Sequence, residues 1–501
     1  MSARGTAKRA AVGAVHVAGR IAGAGERRLE DALGGAQRTR VVVVLAGVLA
    51  LSSADTSTVG ASATQLRDAL HISNTDIGLL VTVTSLVAAV ASLPFGVLAD
   101  RVRRTWVLGV AIVLWGAAMI WSATVPDFGQ LLLTRLALGG VTAVAGPFIA
   151  SLVGDYFAPS ERGRIYGFIL AGELLGSGFG FAVSGDIAAL SWRAAFVILA
   201  LPAFALAWFV VRLPEPTRGG REPLRPVGGF AEPEDASDGT AAQQLAREHR
   251  IEPHPELVLK SDPRRLGPIG AARYILSIRT NVVLILASAG GYFFLAGVQT
   301  FGIEFTTKQY GIDQALANVL LLVVGIGAIV GVLGGGALGD LLLRRGRLNG
   351  RILVSAVSAT AAVVLFVPAI LTHHASAAVL YLLFAALALS AQNPPLDAAR
   401  LDIMVPLLWG RAEGLRTFLR TLGQALAPLL FGAVSEYVFG GGHNGLRWTF
   451  LIMLLPLAAS AYFLWRALQT YPRDVATAAA ARTAESRGAQ PVARAPRPAL
   501  D

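Results

Sequence analysis

No cysteine occurs anywhere in the 501 residues. That excludes a disulfide framework, a thiolate-held metal and a thiol nucleophile together. Charge is also scarce: Asp, Glu, Lys and Arg make up 15% of the chain against 54% apolar residues, and mean hydropathy is +0.59. A soluble domain needs more polar surface than that, so the chain is expected to cross a membrane many times. No phosphate-binding loop is present either. Gly176-Ser-Gly-Phe-Gly180 lies inside an apolar run with no strand before it, so no nucleotide cofactor is expected. No metal site is expected, since His373 and His374 fall in a short loop where water solvates them. The start lacks the short apolar run and cleavage site of a secretory signal.

What remains is mostly apolar runs of about 20 residues, each able to cross a ~30 Å hydrocarbon layer. They cover 41–64, 77–99, 105–125, 130–155, 163–187 and 191–212, then 280–303, 315–339, 351–371, 376–405, 411–438 and 446–469. The runs are continuous, not alternating, which selects helices over a β-barrel. The expected fold is an all-α membrane protein with about twelve transmembrane helices in two six-helix bundles, 41–212 and 280–470. A basic tail (1–40), a linker rich in Pro, Gly, Glu and Arg (213–279) and a tail (471–501) complete the chain. The tails and the first part of the linker read as disordered. Residues 272–279 interleave arginines with apolar residues, the pattern of a helix lying on a membrane surface.

The net charge of +11 does not point to nucleic acid, because the cations crowd into the tails and alternate loops. Arg101, Arg103 and Arg104 share one side with Arg162 and Arg164, and with Arg344, Arg345, Arg347 and Arg351. Both termini and these loops are expected on the cytosolic side of a plasma (inner) membrane.

One short hairpin organises the rest. Gly96-Val-Leu-Ala-Asp100-Arg101-Val-Arg-Arg104 returns as Gly336-Ala-Leu-Gly-Asp340, followed by Arg344 and Arg345. The offset is 240 residues for the Gly, the Asp and the last Arg alike. Trp192-Arg193-Ala-Ala-Phe196 and Leu446-Arg447-Trp448-Thr-Phe450 open the last run of each half. The protein is built twice, and its function belongs at the seam between the halves.

This pattern resembles the major facilitator superfamily, whose signature between spans 2 and 3 is G-x-L-a-D-r-x-g-r-r and recurs between spans 8 and 9. The resemblance runs from about Val41 to Tyr471. Within the family, two stretches are similar to the Spinster-like branch, which exports lysophospholipids and sphingoid phosphates. One is Asp55 within Ser52-Ser-Ala-Asp-Thr56; the other runs from Asn393 through Pro406, Arg411 and Ala412 to Leu422-Gly-Gln-Ala-Leu-Ala-Pro428. The chain departs from that branch at Thr56, where Arg is usual, and at Thr142, where Glu often stands. Gly172 to Gly180 also lacks the antiporter proline.

The resemblance implies a monomeric secondary transporter without cofactor, working by alternating access. Gly96, Asp100, Arg101, Arg104, Asp340 and Arg344 would latch its cytosolic face. Its partners would be the bilayer, protons and an amphipathic anion such as a lysophospholipid. A proton antiporter for lipophilic cations is the alternative. A non-transporting scaffold, or an enzyme on the same fold, is the second alternative, although no nucleophile–base constellation supports an enzyme.

Ionisable residues inside the runs are costly in lipid, so each needs a reason. Asp55 lies roughly 21 Å from the inner end of its run, and Arg135 comes to about the same height in the fourth. The two either neutralise each other or take part in proton exchange. Asp397 and Arg420 each lie roughly 14 Å from the inner end of their runs. Arg400 is one turn from Asp397 and Arg416 one turn from Arg420, a basic patch suited to a phosphate group. The plainer reading puts Arg400, Asp402 and Arg416 in water at the cytosolic mouth. Glu173 is either a protonatable cavity group or a neutral one held in packing. Gln299, Gln392 and Asn393 offer neutral hydrogen bonds.

Overall fold

The computed structural model describes residues 27–72, 74–218, 224, 240–259, 263, 266–312, 314–440 and 442–488. The first half contains α1 (Ala36–Ala61), α2 (Asn74–Ala99), α3 (Arg104–Thr124), α4 (Phe128–Thr142, continued by Ala145–Tyr156), α5 (Arg162–Leu190) and α6 (Trp192–Val211). The second contains α7 (Arg279–Tyr310), α8 (Gln314–Arg344), α9 (Gly350–Leu371), α10 (Ala375–Ala391, continued by Asn393–Asp402), α11 (Trp409–Ala433) and α12 (Gly442–Met453, continued by Leu455–Gly488). Among the described residues, eleven of these are long and apolar enough to cross a membrane. The twelfth, α5, has 29 residues, and its described part carries Arg162, Arg164 and Glu173. Trp106, Leu201, Trp208, Val364 and Leu429 are all more than half exposed, as side chains facing lipid are.

Sequence explains the breaks. Pro394 and Pro395 lack the N–H groups that would continue α10, so the helix restarts there, where first-turn N–H groups need no intrahelical partner. The fragment that follows carries Asp397, Arg400 and Asp402, all buried.

The twelve helices form two six-helix bundles, α1–α6 and α7–α12. One apolar core runs through the first bundle and into the second near the Asp100 and Asp340 hairpins, the hairpin side. A second core, built on Phe294, Phe305, Phe366, Phe431 and Phe450, contains residues of the second bundle only. The bundles are therefore joined on the hairpin side and closed separately on the opposite side. Two seams join them, α2 against α11 and α5 against α8. Both depend on glycine. A Cβ on Gly96 would stand 2.7 Å from the Gly410 carbonyl oxygen, and one on Gly336 would stand 2.1 Å from that of Gly163.

The segments expected to be disordered differ from expectation where they are described. Arg38, 1% exposed, donates to Glu161, so the basic tail is anchored before residue 40. The final helix continues past Tyr471 to Gly488, with Val475, Ala478 and Ala481 buried. Its alanine-rich composition, read as low complexity, is strong helix-forming sequence with a face to bury. In the linker, Ala241–Glu248 is a helix with a Thr240/Gln243 capping box, and Pro268–Ser277 is a second helix at the expected surface segment. Residues 1–26, 219–223, 225–239 and 489–501 lie outside the described residues.

Gly336→Ala should drive the α5–α8 seam apart, because overpacking costs about 1–3 kcal/mol. The cysteine-free chain suits spin labelling at Arg103→Cys and Arg345→Cys, where the label-to-label distance should lengthen in the variant. An unchanged distance would show that the seam absorbs the methyl.

Candidate functional site at the seam of the bundles

Each hairpin aspartate seats its carboxylate on the first turn of a helix from the other bundle. Asp100 accepts from the N–H groups of Gly410 (2.9 Å) and Arg411 (3.1 Å) at the start of α11. Asp340 accepts from those of Gly163 (3.2 Å) and Arg164 (2.7 Å) at the start of α5. First-turn N–H groups have no intrahelical acceptor and carry the positive end of the helix dipole, so both aspartates are placed where an anion is stabilised.

The expected arginine partners are corrected. Arg104 does not hold Asp100; it is buried against Asp155, Glu215 (2.8 Å) and Ser151 Oγ (2.8 Å), within its own half of the chain. Arg344 is exposed, as is Arg101. The arginine that holds Asp340 is Arg351, 2.7 Å away, and it also binds Asp402 at 2.5 Å. Arg104 to Arg351 and Asp155 to Asp402 are both offsets of 247 residues, seven more than the hairpin offset. Those seven extra residues displace Arg344 from the helix start and put Arg351 there instead. Among the described residues, Asp100 has Arg411 as its one ion-pair partner, at 3.5 Å. Burial pushes its carboxyl up to about 7, against the pull of the Gly410 and Arg411 N–H groups and the Arg411 guanidinium.

Asp55 and Arg135 do meet. Their 2.9 Å ion pair is 3% and 1% exposed, and Arg135 lies over the Phe196 ring at 4.9 Å. The second bundle carries a larger cluster. Arg416 binds Asp397 (3.0 Å), Glu413 (2.8 Å) and Ser288 Oγ (2.8 Å), while Arg400 binds Glu413 (2.6 Å) and Asp397 (3.4 Å). Every charged member is buried, so the water-exposed reading of Arg400, Asp402 and Arg416 is overturned. Asp397 and Arg420, expected at the same height, do not pair, because Asp397 is taken by Arg416 and Arg400. Arg420 is half-buried over the Tyr292 ring at 4.4 Å and makes no ion pair among the described residues. Glu173 on α5 lies within electrostatic reach of Arg420 but forms no hydrogen bond to it. Gln392 is buried with both amide atoms unpartnered, Asn393 is half-buried, and Gln299 is exposed on α7.

Sequence reasoning missed Glu413, Tyr166, Asp155 and Glu215. Glu413 had a visible signal, its i,i+3 spacing to Arg416 inside an apolar run. Glu215 had none, since loop closure brings it to Arg104.

The family model of the Major Facilitator Superfamily matches residues 45–404. The chain belongs to the major facilitator superfamily. It is a multi-pass membrane protein. Mouse protein spinster homolog 3 is 25% identical over 382 residues, covering 73% of this chain and 69% of that protein. The probable L-galactonate transporter of Escherichia coli K12 is 30% identical over 181 residues, covering 35% of this chain and 39% of that protein. The aligned part therefore spans well under two thirds of that relative. A bacterial homolog to the human lysosomal transporter Spinster, solved inward-facing and unoccupied, shares the fold. Its TM-score is 0.55 at 18% identity, covering 87% of this chain and 98% of that one.

The raised Asp100 carboxyl gives the α2–α11 seam a pH dependence of definite sign. The joined seam holds the proton more tightly than a parted, hydrated one with the ordinary value of 3.8, so it is favoured at low pH. That advantage is lost as pH rises through about 7. Spin-label distances across the seam should show a falling joined population between about pH 4 and about pH 7. Asp100→Asn should flatten the curve; a curve of unchanged slope would assign the titration to another group.

Proposed function

We propose that this transporter moves an amphipathic, lysophospholipid-like anion across the plasma (inner) membrane by alternating access coupled to protons. The hairpin side is cytosolic in this reading, so the joined seams close the cytosolic gate and the opposite side is open. The observation that carries the anion assignment is Arg420. It is the one described charge between Asp397 and Arg420 that makes no ion pair, which leaves its guanidinium for a ligand. An anionic group there gains a charge-assisted hydrogen bond, and Gln299 and Asn393 add neutral donors and acceptors.

Asp55 and Arg135 supply the proton coupling. A carboxylate that loses its arginine to a competing anion takes up a proton more readily, so substrate and proton occupancy become linked. Glu173, facing the Arg420 region across the seam, is the second protonatable group. The resemblance of the Asp55 and Asn393–Pro428 stretches to the Spinster-like branch supports the lipid cargo. The L-galactonate transporter relative favours a second reading, a sugar acid, which shares the anionic charge but not the tail. The lipophilic-cation alternative places a repelling Arg420 in the path of its cargo.

Proteoliposome uptake separates these readings. Arg420→Gln should weaken a lysophospholipid roughly ten- to hundred-fold, the loss of one charge-assisted bond, and leave a lipophilic cation unharmed. Galacturonate transport without lysolipid transport would move the assignment to sugar acids. Asp55→Asn should abolish uptake driven by a pH gradient while leaving binding largely intact. Normal expression with unchanged proton-driven uptake would remove Asp55 from the coupling.

A further inference from the structure

The cluster of Asp397, Arg400, Glu413 and Arg416 carries two positive and two negative charges, all from the second bundle, on α10 and α11. Glu413 is the centre of it. One carboxylate accepts from Arg416 Nε (3.1 Å) and Nη2 (2.8 Å), pairs with Arg400 Nη2 (2.6 Å) and accepts from Thr417 Oγ1 (3.2 Å). This two-pronged grip is how arginine holds a phosphate or a carboxylate ligand. Glu413 is a ligand carried on the chain itself.

The cluster is closed by the other bundle. Tyr166 of α5 is 5% exposed and lies within electrostatic reach of all four charges. Its hydroxyl has no hydrogen-bond partner, and neither has Arg400 Nη1, itself on a residue 2% exposed. A buried donor without an acceptor costs about 1–3 kcal/mol. Two of them, one from each bundle, mark a place where an acceptor oxygen is wanted and where Glu413 does not reach. Gly146 of α4 also comes close, leaving room where a Cβ would stand 3.7 Å from Glu413 Oε1.

We propose that Glu413 is a specificity-determining residue, a resident anion that occupies Arg400 and Arg416 while the seams are joined and exchanges with the anionic group of the substrate when they part. The proposal rests on the anionic-substrate reading above. When α5 withdraws, Tyr166 leaves with it and water reaches the cluster. Arg400 and Arg416 are then presented with two candidate anions, Glu413 and the substrate. A neutral or cationic compound cannot replace Glu413 without leaving two buried arginines undercompensated. The exchange therefore selects for charge before the tail is tested, and it returns the cluster to neutrality after release.

The test uses the full chain in lipid nanodiscs with three probes: lysophosphatidylglycerol, galacturonate and uncharged monoacylglycerol. Glu413→Gln removes the competing charge and keeps the shape. It should bind the anion that the wild type prefers about tenfold or more tightly, with monoacylglycerol unchanged. If that variant does not fold, Glu413→Asp replaces it. Its shorter side chain cannot span both arginines, so the gain should have the same sign and be smaller. Tightened galacturonate with no lysolipid binding would sink the lipid reading and leave the exchange standing. Lysolipid binding in the wild type, untightened in a folded variant, overturns the exchange and leaves the lipid reading intact. An equal change for all three probes overturns it as well, because a purely structural role moves charged and uncharged ligands together. Absence of any anion binding in both proteins overturns it too.

Discussion

A carboxylate set on the open end of a helix is the interaction on which this structure depends. Asp100 on α11 and Asp340 on α5 do more than bridge two charges, because each closes the unsatisfied first turn of a helix belonging to the other bundle. The contact requires backbone against backbone, and glycine at Gly96, Gly163, Gly336 and Gly410 permits it. The remaining polar structure of the hairpin side is arranged around these two contacts. Arg351 neutralises one aspartate from behind, Arg411 the other, and the linker carbonyls of Pro263 and Leu266 in turn accept from Arg411.

Inside the membrane region the logic changes from locking to balance. Among the described residues, the buried arginines are almost all paired within their own bundle, Arg135 with Asp55 and Arg416 with Asp397 and Glu413. Such pairing lets each bundle move as a body without dragging an uncompensated charge through lipid. Arg411 pairs across the seam with Asp100, and the half-buried Arg420 makes no ion pair among the described residues.

Much of this was legible in the chain. Continuous apolar runs and a hairpin repeated at 240 residues fixed helix number and duplication, and helical rise alone matched the heights of Asp55 and Arg135. The errors share a cause. Arg104 and Arg344 were matched to Asp100 and Asp340 by adjacency along the chain, whereas three-dimensional pairing follows a second offset of 247 residues that unites Arg104 with Arg351 and Asp155 with Asp402. Glu413 was overlooked because a lone acid among arginines reads as a minor correction to a basic patch. Only packing shows that it lies between two guanidinium groups. The alanine-rich end of α12 was read by composition when its buried face was what mattered.

The two seams are copies in backbone but not in chemistry. Asp340 has Arg351 at 2.7 Å, fully enclosed, while Asp100 has Arg411 at 3.5 Å and a carboxyl poised near neutrality. Fasteners of unequal strength holding the same two bodies do not release together. In the proposed alternating-access reading, a scaffold made symmetric by duplication would thereby open in a fixed order, with the α2–α11 seam parting before α5–α8.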